Sequence, residues 1–481
     1  DNDGLLPEVL SSDLLMIGTD SSGCDQECVS LPTLASAPIT ITDEEQSDFS
    51  LGSYNQSAWN TSADGIELDS LGLSSGGTYT SAIVDAGNTV QWDRVSWQTA
   101  FPSGKEHLDN NQVESGYSEG NIDMTSNELL FHFNDSTPED ASGNGNSATN
   151  NGATTEVEGK YNNSYRFNGS TSYVQVPDSP SLTITGDELT LEAWVKWDID
   201  PTTGNGWANV INKNVDNEYQ IQHDSGNTNF EFAVRTTQTR RYVIANEQPI
   251  TQDEWYYVVG VYDGTQIHIY VNGVLSDSRS LSGNIIPSNS DLNIGRRTSN
   301  DRHFSGYIDE VGVYSRAFTA QEIEDRYKRG VTNLELQVRA CNTSSCTGEA
   351  FVGPDGTAST SYSEIQNSSN QVPTFILSNL NPARYLQYQV TLSSDDGVES
   401  PILESITFES DGGAAYESTA SNCVDLESLL VPEYIESIPS DPLYGTDRNS
   451  GYAVKLETQN VDRVGVYACN AELGKTIQSS K

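Results

Sequence analysis

The chain has 481 residues, a formal net charge of −45 and 35% hydrophobic residues. Its length exceeds what one hydrophobic core can organise, so we expect several domains. Asp and Glu number 69 against 24 Lys and Arg, and this excess excludes nucleic acid and anionic membrane surfaces as partners. The carboxylates either bind hard cations such as calcium or form the solvated acidic surface of a protein from a salty habitat. The composition is compatible with both interpretations.

The six cysteines suggest three disulfide pairs, of which two are close in sequence and the third brackets the C-terminal region. They are Cys24 with Cys28, Cys341 with Cys346, and Cys423 with Cys469. An even count without zinc-type spacing favours disulfides and an oxidising, extracellular compartment, with free buried thiols as the alternative. The sequence contains neither a signal-peptide pattern nor 18 consecutive apolar residues, so we expect a mature chain or a soluble piece that has lost an N-terminal segment.

Strand-like segments flank the centre of the chain on both sides. The first, residues 77–104, contains "YTSAIVDAG" and "FPSG"; the later ones contain "LQVRAC" and "ARYLQYQVTL". They resemble a β-sandwich module of secreted bacterial proteins in which "FPSG" runs directly into "LQVRAC". A long stretch intervenes here, so we predict that another domain is inserted into a loop of an outer sandwich formed by residues 36–126 and 331–413. The polar stretch Glu106–Asn127 is the expected entry linker.

The central region alternates polar and apolar residues most regularly. The segment Leu189–Trp197 has the period of a half-buried strand. The dipeptides Asp263-Gly264 and Asn272-Gly273 predict turns around a returning strand that holds Ile267, Ile269 and Val271. One short helix follows: Thr319 and Glu322 form a capping box, and Gly330 is the expected stop.

Four central segments appear in a characteristic order. They are "YRFNGSTSYVQVPDSPSL", "LTLEAWVKW", "EWYYVVGVYDGTQIHIYVNGVL" and "FSGYIDEVGVYSRAFTAQEI". This order resembles the LamG-type, concanavalin A-like jelly-roll domains, and we assign residues 127–330 to such a domain. The resemblance implies two antiparallel sheets, a binding function and often one structural calcium ion. Its calcium ligands carry over to Asp140, Asn144 and Asp309, for which turn-forming and rim positions are the alternative.

Aromatic and basic side chains in a very acidic chain indicate where a glycan could bind. Sugars are recognised by aromatic stacking and by planar hydrogen-bond donors, and Arg also pairs with acidic glycans. Some of these residues are expected to belong to the core or the ordinary surface. The candidates are Trp207, Tyr219, His223, Arg235, Arg240, Arg241, Tyr242 and His303.

The sequence argues against catalysis. Hydrolases that share the concanavalin A-like fold resemble one another in a Glu-x-Asp-x-(x)-Glu strand, because glycoside hydrolysis needs two facing carboxylates. No such run occurs here: Glu231 stands alone, and Asp309 and Glu310 are adjacent and so should face opposite ways. We predict a protein that is not an enzyme, with a glycoside hydrolase as the least favoured alternative.

The two ends of the chain have a pattern of their own. Residues 1–35 contain "LLMIGTDSSGCDQEC", and residues 414–481 contain "LVPEYIESIPSDP", "GYAV" and "VGVYACNAELG". Together they resemble the globular head of type IV pilin-like or pseudopilin proteins, without that family's N-terminal apolar helix. The resemblance implies a second calcium loop at Asp441 and Asp447, for which exposed loop acids are the alternative. We also expect a helix over Val424–Ile435 and strands near Tyr452–Leu456 and Arg463–Ala468.

These observations predict a mainly β protein: antiparallel β-sandwiches, with a jelly roll nested in a second sandwich, on a small α+β pilin-like base. The expected function is that of an extracellular cell-surface adhesin, monomeric in isolation, which binds a glycan or a surface protein. Calcium is the expected cofactor, and pilus or pseudopilus subunits are further expected partners. A purely structural spacer is the alternative.

Overall fold

The computed structural model describes residues 38–200, 206–214, 218–224, 229–246 and 249–410, together with the backbone of four strands nearer the chain ends. Two compact units are present: one comprises residues 39–411, and the other comprises residues 1–38 and 412–481. Several antiparallel sheets dominate, so the prediction of a mainly β fold made of sandwiches is confirmed. Within the described residues, every helix is too short or too polar to cross a bilayer.

The unit formed by the two chain ends contains one four-stranded antiparallel sheet in the order β2-β1-β30-β31. The two predicted C-terminal strands are confirmed. The predicted helix Val424–Ile435 lies outside the described residues, as do the side chains of Cys24, Cys28, Cys423, Cys469, Asp441 and Asp447. The strands are β1 (Leu15–Gly18), β2 (Cys28–Val29), β30 (Tyr452–Leu456) and β31 (Val464–Ala468).

Both flanks of the central region contribute to a sandwich of two six-stranded sheets. In one sheet Trp97 pairs with Ile406, and in the other Tyr79 pairs with Val390, so strands far apart in sequence are neighbours. Aromatic side chains fill the core between the sheets, and Trp92 and Tyr388 are fully buried there. The strands are β3 (Ile39–Asp43), β4 (Ser53–Asn55), β5 (Ser57–Asn60), β6 (Gly65–Leu68), β7 (Gly77–Thr80), β8 (Val84–Val90), β9 (Trp92–Thr99), β25 (Thr332–Cys341), β26 (Tyr362–Ser363), β27 (Thr374–Ile376), β28 (Ala383–Ser394) and β29 (Leu403–Ser410).

Short elements complete this outer sandwich. Two single-turn helices, α1 (Gln46–Phe49) and α2 (Gly72–Ser75), and a 3-10 turn, Glu364–Gln366, connect its strands. Cys341, the last residue of β25, forms a disulfide with Cys346. That pair of the predicted disulfides is confirmed.

The central region forms a jelly roll of two facing sheets. The eight-stranded sheet has the order β12-β13-β24-β15-β20-β21-β22, with β10 also pairing β24; the seven-stranded sheet has the order β11-β14-β23-β16-β17-β18-β19. The strands are β10 (Asn127–Phe131), β11 (Thr149–Asn151), β12 (Thr154–Glu158), β13 (Asn163–Asn168), β14 (Tyr173–Val176), β15 (Leu189–Trp197), β16 (Ala208–Lys213), β17 (Tyr219–His223), β18 (Phe230–Arg235), β19 (Arg240–Ile244), β20 (Trp255–Tyr262), β21 (Gln266–Val271), β22 (Val274–Ser280), β23 (Leu292–Ile294) and β24 (Ser305–Tyr314).

The two sheets are held together by a continuous apolar core. Leu191 and Ile269 of the eight-stranded sheet and Ile221 and Phe232 of the seven-stranded sheet are fully buried in it. Gly260 lets the sheets approach, because a Cβ there would lie 2.2 Å from Cδ2 of Phe232. The predicted turns are confirmed: Gly264 and Gly273 have φ values of 85° and 78°.

The prediction that β15 is half-buried was wrong, because eight of its nine residues are buried. The segment 105–126 and helix α3 (Ala320–Val331) cover the outer face of the eight-stranded sheet and add a second apolar cluster there. The stretch expected to be a polar entry linker therefore packs against the sheet. Leu108, Ile122 and Met124 of that stretch are almost completely buried.

Helix α3 begins as predicted, since Thr319 and Glu322 form a reciprocal capping box. Its end differs from the prediction: the helix continues through Gly330 to Val331. Gly330 serves close packing instead, because a Cβ there would lie 2.2 Å from Cζ2 of Trp194.

Candidate functional site

A groove opens on the outer face of the seven-stranded sheet. Along β17 and β18 the apolar residues point to the core, so the intervening polar residues point outward. Register places Gln222 opposite Glu231, and Glu231 opposite Ile244 of β19. The groove has a volume of about 410 Å³ and is lined by Trp207, Gln220, Gln222, Asp224, Glu231, Arg240, Tyr242, Ile244, Arg297 and Arg302.

The floor of the groove is a row of hydrogen-bonded amides around one carboxylate. Gln222 Nε2 donates to Oε1 of Glu231 at 2.8 Å. Asn212 Nδ2 donates to Oε1 of Gln220 at 2.9 Å, and Asn209 Nδ2 donates to the same oxygen at 3.3 Å. Buried polar groups of this kind hold one another in fixed orientations. The floor therefore presents donors and acceptors at set positions.

One wall combines an aromatic ring with a guanidinium. The carbon Cζ of Arg302 lies 4.6 Å from the centre of the Trp207 ring. Arg302 Nη1 donates to Oε1 of Gln222 at 2.9 Å, which ties the wall to the floor. The backbone of Arg302 has a φ of 53°, and its carbonyl accepts from the Asn209 amide.

The opposite wall comes from edge strand β19. Arg240 Nη2 lies 3.6 Å from Oε1 of Glu231. Tyr242 is 40% exposed, and the guanidinium of Arg279 lies 5.3 Å from its ring centre. An exposed ring beside a polar floor is an arrangement that can stack against a sugar.

Burial and neighbouring charge alter two groups of the groove. Burial raises the pKa of Glu231, and Arg240 opposes that rise. Burial also lowers the pKa of Arg302, and the nearby Arg297 lowers it further. The arginines of the groove are therefore close enough to repel one another.

The structure places some of the candidate ligand-binding residues in the groove and others away from it. Trp207, Arg240 and Tyr242 line the groove. Tyr219 points into the core, where its hydroxyl donates to the Leu182 carbonyl at 3.1 Å. Arg241 pairs with Val234, which points to the core, so Arg241 lies on the opposite face of β19.

Three further candidates do not line the groove. Arg235 pairs with Arg240 on the groove face, and His303 follows Arg302. The ring of His223 packs against Trp197 in the core, with 5.6 Å between ring centres.

Sequence reasoning missed most of the groove. Gln220, Gln222 and Asp224 were not singled out, and Glu231 was considered only as a lone carboxylate. The available signal was the alternation in "YQIQH" and "FEFAVR", where apolar Tyr, Ile, Phe and Val alternate with residues that include two Gln and one Glu. Arg297 and Arg302 come from a loop between β23 and β24, and only the fold brings that loop over the sheet.

The predicted calcium ligands of the jelly roll are engaged by hydrogen-bond donors. Oδ1 of Asp140 accepts from the amides of Leu130 and Ser142, and Oδ2 accepts from the amide and side chain of Asn146. Asp309 accepts from the amides of Lys160 and Tyr161 at 2.8 and 3.0 Å. Asn144 donates its side-chain amide to the Asn127 carbonyl.

These contacts do not fit one shared calcium site, because the carboxylate oxygens already have N–H partners from separate segments. Across the described residues, no group of three or more His, Cys, Asp or Glu could hold a metal ion. Calcium stays a prediction. A melting temperature that rises with calcium and falls with EDTA would support it, and identical melting in both would remove it.

A second polar region lies on the other side of the jelly roll, between the eight-stranded sheet and the segment 105–126. We call it the buried polar layer: Lys105, His107, Glu114, Tyr117, His132, Glu192, Tyr257, Asp309, Glu310, Tyr314, Arg326, Arg329 and Glu364.

Its ion pairs formed by Lys105, Arg326 and Arg329 are close and almost completely buried. Arg329 donates from Nη1 and Nη2 to the two oxygens of Glu114 at 2.7 and 2.8 Å, and Lys105 lies 2.7 Å from the same carboxylate. Burial alone would raise the pKa of Glu114, but Arg329 and Lys105 hold it at about 2. Arg326 pairs with Glu192 at 3.2 Å, and Glu192 also accepts from the hydroxyl of Tyr257.

A β-bulge corrects the expected orientation of Asp309 and Glu310. The pairing between β15 and β24 shifts register at this point, and Glu310 has a φ of 46°. Both carboxylates are fully buried: Asp309 contacts Tyr161, and Glu310 contacts His107 and His132. The bulge directs both carboxylates into the buried polar layer. The prediction that adjacent strand residues face opposite ways was therefore wrong for Asp309 and Glu310.

Two facing antiparallel sheets that share one core define the central region as a jelly-roll β-sandwich. Residues 168–324 match the family model of the concanavalin A-like lectin/glucanases superfamily, Laminin_G_3. The LamG part of the predicted resemblance is thereby supported, and the match covers about a third of the chain. No curated protein matches the sequence.

Several solved structures are similar over part of the chain. Domain 4 of an extracellular arabinanase from Geobacillus stearothermophilus, in complex with arabinotriose, is 20% identical over 42% of this chain and 97% of that chain, with a TM-score of 0.34. The binding domain of Paraclostridial mosquitocidal protein 1 is 13% identical over 54% and 72%, with a TM-score of 0.37. The binding domain of botulinum neurotoxin serotype G is 15% identical over 49% and 64%, with a TM-score of 0.36.

Proposed function

We propose that the protein is an extracellular glycan-binding protein whose jelly roll holds a sugar in the groove of its seven-stranded sheet. The observation that carries this proposal is the fixed floor of Gln220, Gln222 and Glu231 between walls that contain Trp207 and Tyr242. Amides and a carboxylate match the alternating hydroxyls of a sugar, and the aromatic walls match its apolar faces. A volume of about 410 Å³ falls within the usual range for small-ligand sites.

We further propose that the protein is a cell-surface adhesin. The jelly roll interrupts the outer sandwich between β9 and β25, an arrangement that presents a binding module on a second domain. The ends of the chain, which resemble a pilin-like head, would attach this assembly to a pilus or pseudopilus. A structural spacer would have the same architecture without a working groove, so ligand binding separates the two functions.

A glycan array followed by titration calorimetry tests the proposal. We expect Trp207→Ala and Arg240→Ala to weaken binding of any glycan identified on the array by about tenfold or more, because each removes part of a wall. Arg241→Ala is the matched control, since it removes the adjacent arginine from the opposite face of β19. Equal loss in the Arg240 and Arg241 variants would place the ligand elsewhere.

A glycoside hydrolase is the second candidate, because Glu231 and Asp224 both line the groove. Two carboxylates in one cleft are the minimum that such an enzyme needs. We propose binding without hydrolysis, since Oε1 of Glu231 is engaged by Gln222 and Arg240. Incubating the protein with each bound oligosaccharide and measuring new reducing ends decides the matter. Product formation that is lost in Glu231→Gln would establish the hydrolase.

A further inference from the structure

The groove concentrates positive charge in a chain that has little of it. Of 24 Lys and Arg in the whole sequence, Arg240, Arg297 and Arg302 converge on this one cavity. The carboxylates that line the same cavity are Glu231 and Asp224. The lining therefore has a formal charge of +1 (three arginines minus two acids), against −45 for the whole chain.

The three arginines differ in how well their charge is balanced. Arg240 lies 3.6 Å from Glu231, and Arg297 lies 3.8 Å from Asp301. Among the described residues Arg302 contacts neutral groups, the Gln222 amide oxygen and the Trp207 ring, and Asp301 and Glu231 act on its charge only from beyond ion-pair distance.

Arg297 also has unused hydrogen-bonding capacity. Its Nε is buried and has no hydrogen-bond acceptor among the described residues. A buried donor without an acceptor costs free energy, and a guanidinium is shaped to receive a carboxylate through two parallel hydrogen bonds. The repulsion that Arg297 exerts on Arg302 would be relieved by an anion between them.

We infer that the groove selects a sugar that carries a carboxylate, with Arg302 and Arg297 as the residues that bind the acid group. This inference rests on the proposed glycan-binding function. The hydroxyls of the same sugar would meet Gln220, Gln222 and Glu231 on the floor, and its ring would lie beside Trp207. Uronic acids and sialic acids share this chemistry.

The same residues argue against highly sulfated chains. Glu231 and Asp224 line the groove, and the protein outside it is strongly acidic, so a polyanion would be repelled along most of its length. A single carboxylate on an otherwise neutral sugar avoids this repulsion. The selected ligand is thus locally anionic rather than densely charged.

The test compares matched acid and neutral ligands by titration calorimetry. One pair is an oligogalacturonide and its methyl ester, another is sialyllactose and lactose, and heparin is the sulfated probe. We expect the free acid of one pair to bind about tenfold or more tightly than its neutral partner, in line with a charge-assisted hydrogen bond. The pair that shows the preference identifies the source of the carboxylate.

A variant with a matched control links the preference to Arg302. Arg302→Gln should shrink the ratio of acid to neutral affinity toward one, while Arg241→Gln, on the opposite face of β19, should leave that ratio as in the wild type. Equal affinity for acid and neutral ligands, or strongest binding to heparin, would overturn this inference and leave the glycan-binding function standing. If neither pair, nor any glycan on an array, binds at all, both proposals fail together.

Discussion

The two sheets of the jelly roll both carry polar side chains on the face that points away from the shared core. On the eight-stranded sheet these side chains join the buried polar layer, in which Glu114 of the covering segment is bonded by both Arg329 and Lys105. On the seven-stranded sheet they form the floor of the groove, over which the hydrogen-bond and ring partners of Arg302 among the described residues are neutral. A buried charge needs a partner of opposite charge, and Glu114 and Glu192 of the layer have such partners, although Nε of Arg326 has no hydrogen-bond acceptor among the described residues. An open groove can leave charge available for a ligand. From this comparison we expect the first face to contribute mainly to stability and the second, under the proposed function, to binding.

The largest effect should come from removing a charge in the buried polar layer. Glu114→Gln keeps the side-chain shape but leaves Arg329 and Lys105 buried without their carboxylate. Breaking a buried pair by removing one partner costs about 3–5 kcal/mol, and we expect the free energy of unfolding to fall by that amount. Urea unfolding followed by fluorescence measures it.

The control is Arg94→Ala, because the Arg94–Glu409 pair spans 3.4 Å between half-exposed side chains. An exposed pair of this kind contributes about 1 kcal/mol or less. If both variants lose the same small amount of stability, the buried polar layer does not hold the molecule together as described.

An intermediate effect should appear as pH dependence. His132 contacts Glu310 through Nδ1 and lies 3.0 Å from Asp109 through Nε2. Burial alone would lower the pKa of His132, but Glu310, Asp109 and Glu106 raise it well above 6.5. A raised folded-state pKa gives stability that is fully present below the unfolded pKa and is lost as the pH rises through the folded pKa.

We therefore expect wild-type stability to decline as the pH rises above about 6.5, and His132→Gln to decline less over the same range. The difference between the two urea midpoints, measured in steps from pH 6 upward, isolates this histidine from other titrating groups. Parallel pH profiles for the two proteins would show that His132 does not keep its proton in the folded state.

The smallest effect on stability should come from the groove. Arg302 forms one hydrogen bond to a neutral amide and is only half-buried, so Arg302→Gln should change the free energy of unfolding by about 0.5 kcal/mol or less. Its effect should appear in ligand affinity instead. A loss of stability as large as that of Glu114→Gln would mean that the groove arginines are structural, and would remove the contrast between the two faces.

Local sequence patterns predicted the strands and turns well. The alternation in Leu189–Trp197 located β15, the dipeptides Asp263-Gly264 and Asn272-Gly273 located two turns, and Thr319 with Glu322 located the start of α3. These features depend on neighbours within a few residues, so they can be read directly from the chain.

The errors concern contacts between distant segments. The stretch Glu106–Asn127 is polar enough to resemble a linker, yet Glu114 is neutralised by Arg329, more than two hundred positions away. A buried charge looks like a surface charge in the sequence until its partner is known. The same reason explains why β15 was expected to have an exposed face.

The sequence by itself determined the class of fold and pointed to three side chains that line the groove, Trp207, Arg240 and Tyr242. Only the tertiary structure decided that Arg297 and Arg302 join them, that Arg241 does not, and that Asp309 and Glu310 lie on the same buried side. The physical reason is that strand periodicity assigns a residue to a face, whereas sheet order, bulges and loop paths decide which faces meet.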